Sequence, residues 1–305
     1  MQHRRSLVLE FWNRGGELTV ANIRYRNFVR GFLTELLRND AGANDLTTSS
    51  LIKKNKKASA IIVAKENGML AGVEEFKFLN SDLEISAIKK DGGKIKNGDA
   101  LLEISGDAGK ILGRERVSLN LLQRMSGIAT LASGLDKKLR NKAKLAATRK
   151  TLWGLLDKKA VSVGHGLTHR LGLSDLVLIK DNHLKLLGGN IEKAISLAIN
   201  KSKYIEIEVE DGKQALKAAN AIKLFNKNGH ENLFAILLDK LRPDDIILII
   251  KELKKQNLYE NILFEASGNI NPQNLIGYAD CGIDVVSMGC LTNSAKSLDI
   301  SLEVK

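Results

Sequence analysis

LFAILLD, residues 233–239, is an unbroken apolar run that stops on a carboxylate, and its reading decides the architecture. A strand with one face in water alternates apolar and polar side chains, whereas a strand buried on both faces does not. The run therefore belongs to a parallel sheet covered on its outer face by helices. Similar runs recur along the chain: KLAAT (144–148), AVSV (160–163), LVLIK (176–180), YIEIEV (204–209), NILFEA (261–266) and IDVVS (283–287), with helical patterns between them. Strand alternating with helix defines an α/β chain, and seven or eight units fit a closed or nearly closed barrel best. An open doubly wound sheet is the alternative. In both, functional side chains gather just past the strand C-termini.

Upstream of these runs the pattern differs. Residues 24–38 place Phe28, Phe32, Leu33, Leu36 and Leu37 at helical spacing, which predicts an amphipathic helix. From about 58 to 115, short β-rich runs separated by Gly, Asn and Asp predict a small antiparallel unit with tight turns. A helix over 115–139, with Val117, Leu121, Leu122, Met125, Ile128 and Ala129 on one face, ends this part. The expected organisation is an extension of unassigned role (1–24), a first domain (25–139), a barrel domain (140–290) and a C-terminal segment (291–305) returning to the first domain.

The chain carries 47 Lys+Arg against 35 Asp+Glu, a net charge of +12, which would suit nucleic acid, a membrane surface or an acidic small molecule. The lysines lie in segments such as KKNKK (53–57), KKDGGKIK (89–96) and KKLRNKAK (137–144), which lack the aromatics that stack on bases. Solvated faces are the better reading, so no nucleic-acid partner is expected. Cys281 and Cys290 are spaced for neither a redox pair nor zinc, consistent with a reducing compartment. Glu10 interrupts the apolar run near the N-terminus, and no stretch approaches the roughly 18 apolar residues of a membrane helix. The expectation is a cytoplasmic protein without a membrane partner.

The strand ends carry the chemistry. Thr148, Arg149 and Lys150 follow the first run; Lys180 and Asp181 end another; Glu208 and Asp239 end two more; Ser267-Gly268 and Met288-Gly289 end the last two. Cations at two ends, carboxylates at two and glycine turns at two describe a partitioned anion site. The last two barrel loops commonly hold a phosphate, and Asn271 with Pro272 predicts a helix start after Ser267-Gly268-Asn269. Glu208 and Asp239 suit Mg²⁺, which takes one or two carboxylates and completes its shell with substrate oxygens and water; they equally suit ribose hydroxyls. Glu206 shares a strand face with Glu208, so either could reach the site. His165 and His169 have a zinc-like spacing, but Gly164 and Gly166 oppose a helix there, and GHGLTH lacks the third glycine of a dinucleotide loop. His183 reads equally well as a helix-start residue or a functional one.

Together ERVSLNLLQRMSGIAT (115–130), TRKT (148–151), KKAVSVGHGLTHRLGLSDLVLIKDNH (158–183), EIEVE (206–210), EASGNI (265–270) and GCLTNSAKSLDISLEV (289–304) resemble successive motifs of quinolinate phosphoribosyltransferases. The resemblance runs from about residue 25 to the C-terminus in family order. It implies an N-terminal α/β sandwich domain followed by an incomplete, about seven-stranded parallel α/β barrel. It implies transfer of phosphoribosyl from phosphoribosyl pyrophosphate to quinolinate with Mg²⁺, giving nicotinate mononucleotide, pyrophosphate and CO₂. It also implies a homodimer, or a higher oligomer built on one, with Arg116 reaching the neighbouring site. Carried over by position, Thr148, Arg149, Lys150, His169, Arg170 and Lys180 bind substrate, Glu208 and Asp239 serve ribose and metal, and Lys150, Glu208 and Asp239 are the catalytic set. Ser267, Gly268, Asn269, Met288, Gly289 and Cys290 hold the 5′-phosphate.

The chain departs from the family pattern at several positions. Ala147 stands for an Asp, Trp153-Gly154 for Pro-Gly, Gly164-His165-Gly166 for three glycines, Asn269 for the second glycine of SGG and Asn293 for a His. Asn tolerates left-handed backbone, so the turn at Asn269 is expected to survive. His165 is the larger change and bears on substrate identity. The competing readings are a related phosphoribosyltransferase acting on another base, the molybdenum-associated paralogue, and a non-catalytic basic protein that binds nucleotides or RNA.

Overall fold

The computed structural model describes residues 2–41 and 45–305. The chain divides into two compact units, one made of residues 15–133, 151–165 and 291–305, the other of 1–14, 134–150 and 166–290. These boundaries differ from the expected 25–139, 140–290 and 291–305, because the chain passes between the units more than once.

In the first unit, strands β1 (Lys57–Ala64), β2 (Gly68–Met69), β3 (Glu84–Ala87), β4 (Lys94–Ile95) and β5 (Ala100–Asp107) are followed by the helix Ala108–Lys138, which starts seven residues before the helical spacing predicts. A last strand of the chain, β12 (Ile300–Val304), returns here and pairs antiparallel with β1, Ile62 opposite Leu302. The sheet order is β12-β1-β5-β3, with β2 and β4 forming a separate ribbon. The helix Ile23–Ala41 buries Tyr25, Val29 and Leu33, while Phe28 and Phe32 are half-buried. Its core face is thus rotated from the expected stripe, and Phe28 and Phe32 stack on each other at 5.8 Å instead. AVSV (160–163) is not a strand: it closes the helix Leu155–Val163, where Leu156, Ala160 and Val161 are buried. A short apolar run has the same composition in either element, and here the four-residue spacing of Leu156 and Ala160 prevails.

The second unit holds the parallel sheet. Its strands are β6 (Lys144–Ala146), β7 (Val177–Ile179), β8 (Tyr204–Val209), β9 (Leu233–Asp239), β10 (Leu263–Ser267) and β11 (Val285–Ser287), in the order β6-β11-β10-β9-β8-β7. Beyond β6 the ladder continues for one residue: Leu167 bridges Ala146 in parallel, its N–H donating to the Leu145 carbonyl at 2.7 Å. Six strands and this remnant stand where about seven were expected, since AVSV contributes none.

The role of the N-terminal residues also emerges here. The helix Gln2–Trp12 inserts Val8, Phe11 and Trp12 into a cluster with Ala146, Leu167, Leu176, Ala235, Leu263 and Val285. Most of these lie toward the starts of the strands, so the helix covers the end of the sheet opposite the strand C-termini. Burying such side chains contributes roughly 1.5–3 kcal/mol each. Among the described residues, no helix is long and apolar enough to cross a membrane.

Candidate active site

The strand C-termini of the barrel unit surround a cavity of about 390 Å³. In-register pairing makes this possible: Glu208 lies beside Leu237, and Asp239 beside Ser267, so successive strands deliver side chains to one rim. Thr148, Arg149 and Lys150 come from the loop after β6, Lys180 from the end of β7, Glu208 from β8, and Asp239 with Lys240 from the end of β9. Ser267, Gly268, Asn269 and Ile270 follow from β10, and Ser287 and Gly289 from β11. His169 and Arg170 complete the wall from the segment between β6 and β7, with Leu178, Leu237 and Glu265 adding to it.

Opposite charges are paired around this rim. The Lys180 ammonium contacts the Glu208 carboxylate, and Lys240 Nζ lies 2.9 Å from Asp239 Oδ2. Glu208 and Asp239 are 8% and 9% exposed, each touching the cavity with little more than a carboxylate edge. Arg149 and Lys150 are exposed, while Arg170 is buried. Burial and the charge of Arg149 lower the Arg170 guanidinium from its ordinary value, against the opposing pull of Glu206, Asp175 and Glu265.

The Gly268-Asn269 turn has the backbone its sequence predicts. Gly268 and Asn269 have φ of 85° and 56°, both left-handed. A Cβ at Gly268 would come within 2.7 Å of Asp239 Oδ1 and of the Lys240 amide nitrogen, so only glycine fits. The following helix starts later than Asn271 and Pro272 suggest, at Leu275–Tyr278. Asn271 instead braces a turn, its side-chain oxygen accepting from the N–H groups of Gln273 and Asn274.

Beneath the cavity lies a buried group that the sequence reading did not assemble. His169 Nε2 is 3.1 Å from Glu265 and 3.4 Å from Glu206, both carboxylates being essentially inaccessible. Among the described residues, neither Glu206 oxygen nor Ser287 Oγ has a hydrogen-bond partner of good geometry. Burial and the Glu265 charge push the Glu206 carboxyl well above its ordinary range. Glu206 and Glu208 do share a strand face, and the depth separates them: Glu208 meets the cavity, Glu206 sits below it. A carboxylate within an otherwise apolar strand, as in YIEIEV and LFEAS, was the available signal.

Other expected residues lie elsewhere. Met288 is a core side chain whose N–H donates to the Ala146 carbonyl at 3.1 Å, and the Cys290 thiol faces the Ile270 carbonyl; neither lines the cavity. Arg116 is exposed on the helix Ala108–Lys138 of the first unit. His165 is exposed in left-handed backbone, φ 72°, rather than buried in a pocket wall. His183 caps the helix Asp181–Leu186, its Nδ1 accepting from the Lys180 N–H at 2.9 Å. Lys240 is the cavity cation that sequence reasoning missed.

Family models match the chain as the quinolinate phosphoribosyl transferase N-terminal domain over residues 45–126 and its C-terminal domain over 128–303. A probable nicotinate-nucleotide pyrophosphorylase (carboxylating) of Methanothermobacter thermautotrophicus is 39% identical over 283 residues, covering 90% of this chain and 98% of that one. A chloroplastic nicotinate-nucleotide pyrophosphorylase (carboxylating) of Arabidopsis thaliana is 35% identical over 88% of this chain and 80% of its own. Among solved structures, NadC from Streptococcus pyogenes superposes with a TM-score of 0.78 at 33% identity, covering 91% of this chain and 97% of that one. The chain belongs to the quinolinate phosphoribosyltransferase family, and its mixed α/β fold with a six-stranded parallel sheet is that family's fold.

Proposed function

We propose that the chain transfers the phosphoribosyl group of phosphoribosyl pyrophosphate to quinolinate with loss of CO₂. The observation that carries this reading is the gathering of Arg149, Lys150, Arg170 and Lys180, the carboxylates Glu208 and Asp239, and the Gly268-Asn269 turn around one cavity. Quinolinate presents two adjacent carboxylates, and the planar guanidiniums of Arg149 and Arg170 offer paired donors that an ammonium cannot. The backbone N–H groups of the left-handed turn suit the 5′-phosphate.

The pyridine nitrogen attacks the anomeric carbon as the bond from that carbon to the pyrophosphate oxygen breaks. Positive charge develops on the ribose, and Glu208 and Asp239 stabilise it. The quaternised ring nitrogen then draws the electron pair of the C–CO₂⁻ bond onto the ring, CO₂ departs, and the ring carbon takes a proton. Lys150 and Lys180 neutralise the anions on either side of this reaction. Glu208 and Asp239 are also the oxygen donors that fit Mg²⁺, two carboxylates at the cavity edge with room for substrate oxygens. When bound there it supplies neutralising charge to the departing pyrophosphate. A homodimer in which Arg116 meets the neighbouring site, and a cytoplasmic location, belong to the same reading.

The test is an assay of the purified protein with Mg²⁺, phosphoribosyl pyrophosphate and either pyridine acid. Release of CO₂ and formation of nicotinate mononucleotide from quinolinate are expected. Turnover of nicotinate alone would move the assignment to another base. Arg170→Lys should keep the fold and lower kcat/KM for quinolinate about 100-fold, since it keeps the charge and loses the fork.

A further inference from the structure

We propose that Lys240 binds the 5′-phosphate of the phosphoribosyl donor, supplying the positive charge that the Gly268-Asn269 turn lacks. The inference rests on the reading of this cavity as a phosphoribosyl pyrophosphate site and adds a residue to it. The cations of the cavity are unevenly placed. Arg149, Lys150, Arg170 and Lys180 reach it from the stretch between β6 and the end of β7. Among the described residues that β9, β10, β11 and the loops after them deliver to the lining, Lys240 alone carries a positive charge, beside the carboxylates of Asp239 and Glu265. Without it, a phosphate on the turn would meet those carboxylates with neutral N–H and hydroxyl donors on its side. Such donors direct a phosphate, but a dianion taken from water into the neighbourhood of fixed negative charge needs a countercharge.

The backbone brings the side chain to that place. Lys240 has φ 58°, and its N–H donates to the Ser267 carbonyl at 2.8 Å, which folds the end of β9 against the turn that follows β10. A β-carbon at Gly268 would lie 2.6 Å from Lys240 Cγ, so the aliphatic stem of the lysine runs across the bare face of that glycine. Lysine is disfavoured in left-handed backbone, because its β-carbon crowds the chain and it has no short polar group to compensate. Strain of this kind clusters where ligands are held. The ammonium is steadied at the rim, 2.9 Å from Asp239 Oδ2 and 3.7 Å from Glu210 Oε1. It has three donors, so it can hold the Asp239 carboxylate with one N–H and meet a phosphate oxygen with another.

Calorimetric binding of ribose 5-phosphate and of pyrophosphate to the full-length protein separates the two ends of the donor. Lys240→Met keeps the stem and loses the charge. It should weaken ribose 5-phosphate about tenfold or more and leave pyrophosphate within about twofold. The KM for phosphoribosyl pyrophosphate should rise in parallel, with the KM for quinolinate unchanged. Lys240→Arg, which restores the charge, should stay within about threefold of wild type for both ligands. Equal affinity of wild type and Lys240→Met for ribose 5-phosphate would overturn the proposal, and so would a loss confined to pyrophosphate. Loss of both ligands with a lowered melting temperature would overturn it as well, by making Lys240 a part of the fold. If wild type itself binds neither ribose 5-phosphate nor phosphoribosyl pyrophosphate, the reading of the cavity fails and the role of Lys240 with it; donor binding that Lys240→Met leaves intact removes Lys240 alone.

Discussion

Each unit buries a cluster of charged groups, and the two are built differently. In the first unit the Lys159 ammonium contacts Glu74 and lies 2.8 Å from Glu75. Tyr25 donates to Glu75 at 2.7 Å, and Thr19 and the Val20 N–H donate to Glu74. One cation and several neutral donors answer two carboxylates, tying the helix Ile23–Ala41 to Val73–Leu79 and Leu155–Val163. In the barrel unit His169 stands between two carboxylates, and the nearby cations line a cavity instead of closing on the pair. In the first unit the cation closes directly on its carboxylates and braces three helices, although Glu75 Oε2 has no hydrogen-bond partner among the described residues. In the barrel unit the cations stand on the rim of a cavity above the carboxylate pair, which keeps an unbalanced field there.

The comparison can be broken most sharply by removing Lys159. Lys159→Met leaves two buried carboxylates without their cation and should destabilise the protein by about 3–5 kcal/mol in urea unfolding. A loss below about 1 kcal/mol would mean the network is not the brace described.

Glu208→Gln removes charge from the cavity edge, where the effect should fall on rate. A roughly 100-fold drop in kcat with an unchanged melting temperature is expected, together with weaker binding of Mn²⁺ used as a spectroscopic substitute for Mg²⁺.

Glu206→Gln should behave unlike Lys159→Met. The folded pKa of Glu206 is raised above its ordinary 4.5, so its contribution to stability is present below that pH and lost as pH rises toward the raised value. Glutamine has no proton to lose, and the variant should show a flatter stability profile over that window, being at least as stable as wild type at its upper end. Urea unfolding at several pH values would show a parallel loss of stability if Glu206 were ionised and well solvated.

The smallest expected effect is at His165, which holds φ 72° with a β-carbon. His165→Gly should stabilise the fold by up to about 1 kcal/mol, since the strain relieved exceeds the added chain entropy only slightly. The ratio of turnover with quinolinate to that with nicotinate should not change; a changed ratio would restore this position to substrate choice.

The parallel sheet was legible because uninterrupted apolar runs of strand length, such as LFAILLD, recur between helical patterns. AVSV was misread because four residues are too few to separate a strand from the buried stripe of a helix. The rim residues were legible one by one, as polar side chains where apolar runs stop: Arg149, Lys180, Glu208 and Asp239 all line the cavity. Met288 and Cys290 were carried along with their glycine, although the neighbours of a turn residue face the core as often as the site. Glu265 and Glu206 stood in plain view as carboxylates inside apolar strands, but which of them meets His169 depends on strand order and register, and neither is a local property.

What the sequence by itself determined is therefore the local chemistry: an α/β chain, its family motifs, the cations and carboxylates at strand ends, and an asparagine suited to a left-handed turn. The tertiary structure alone decided how that chemistry is shared out. Pairing in the order β6-β11-β10-β9-β8-β7 sets Glu206 and Glu265 beneath His169, whose Nε2 lies 3.1 Å from Glu265 and 3.4 Å from Glu206. The physical reason is range. Backbone preference and burial pattern act over a few neighbouring residues, while the partner of a buried charge is whatever folding brings within about 3 Å of it.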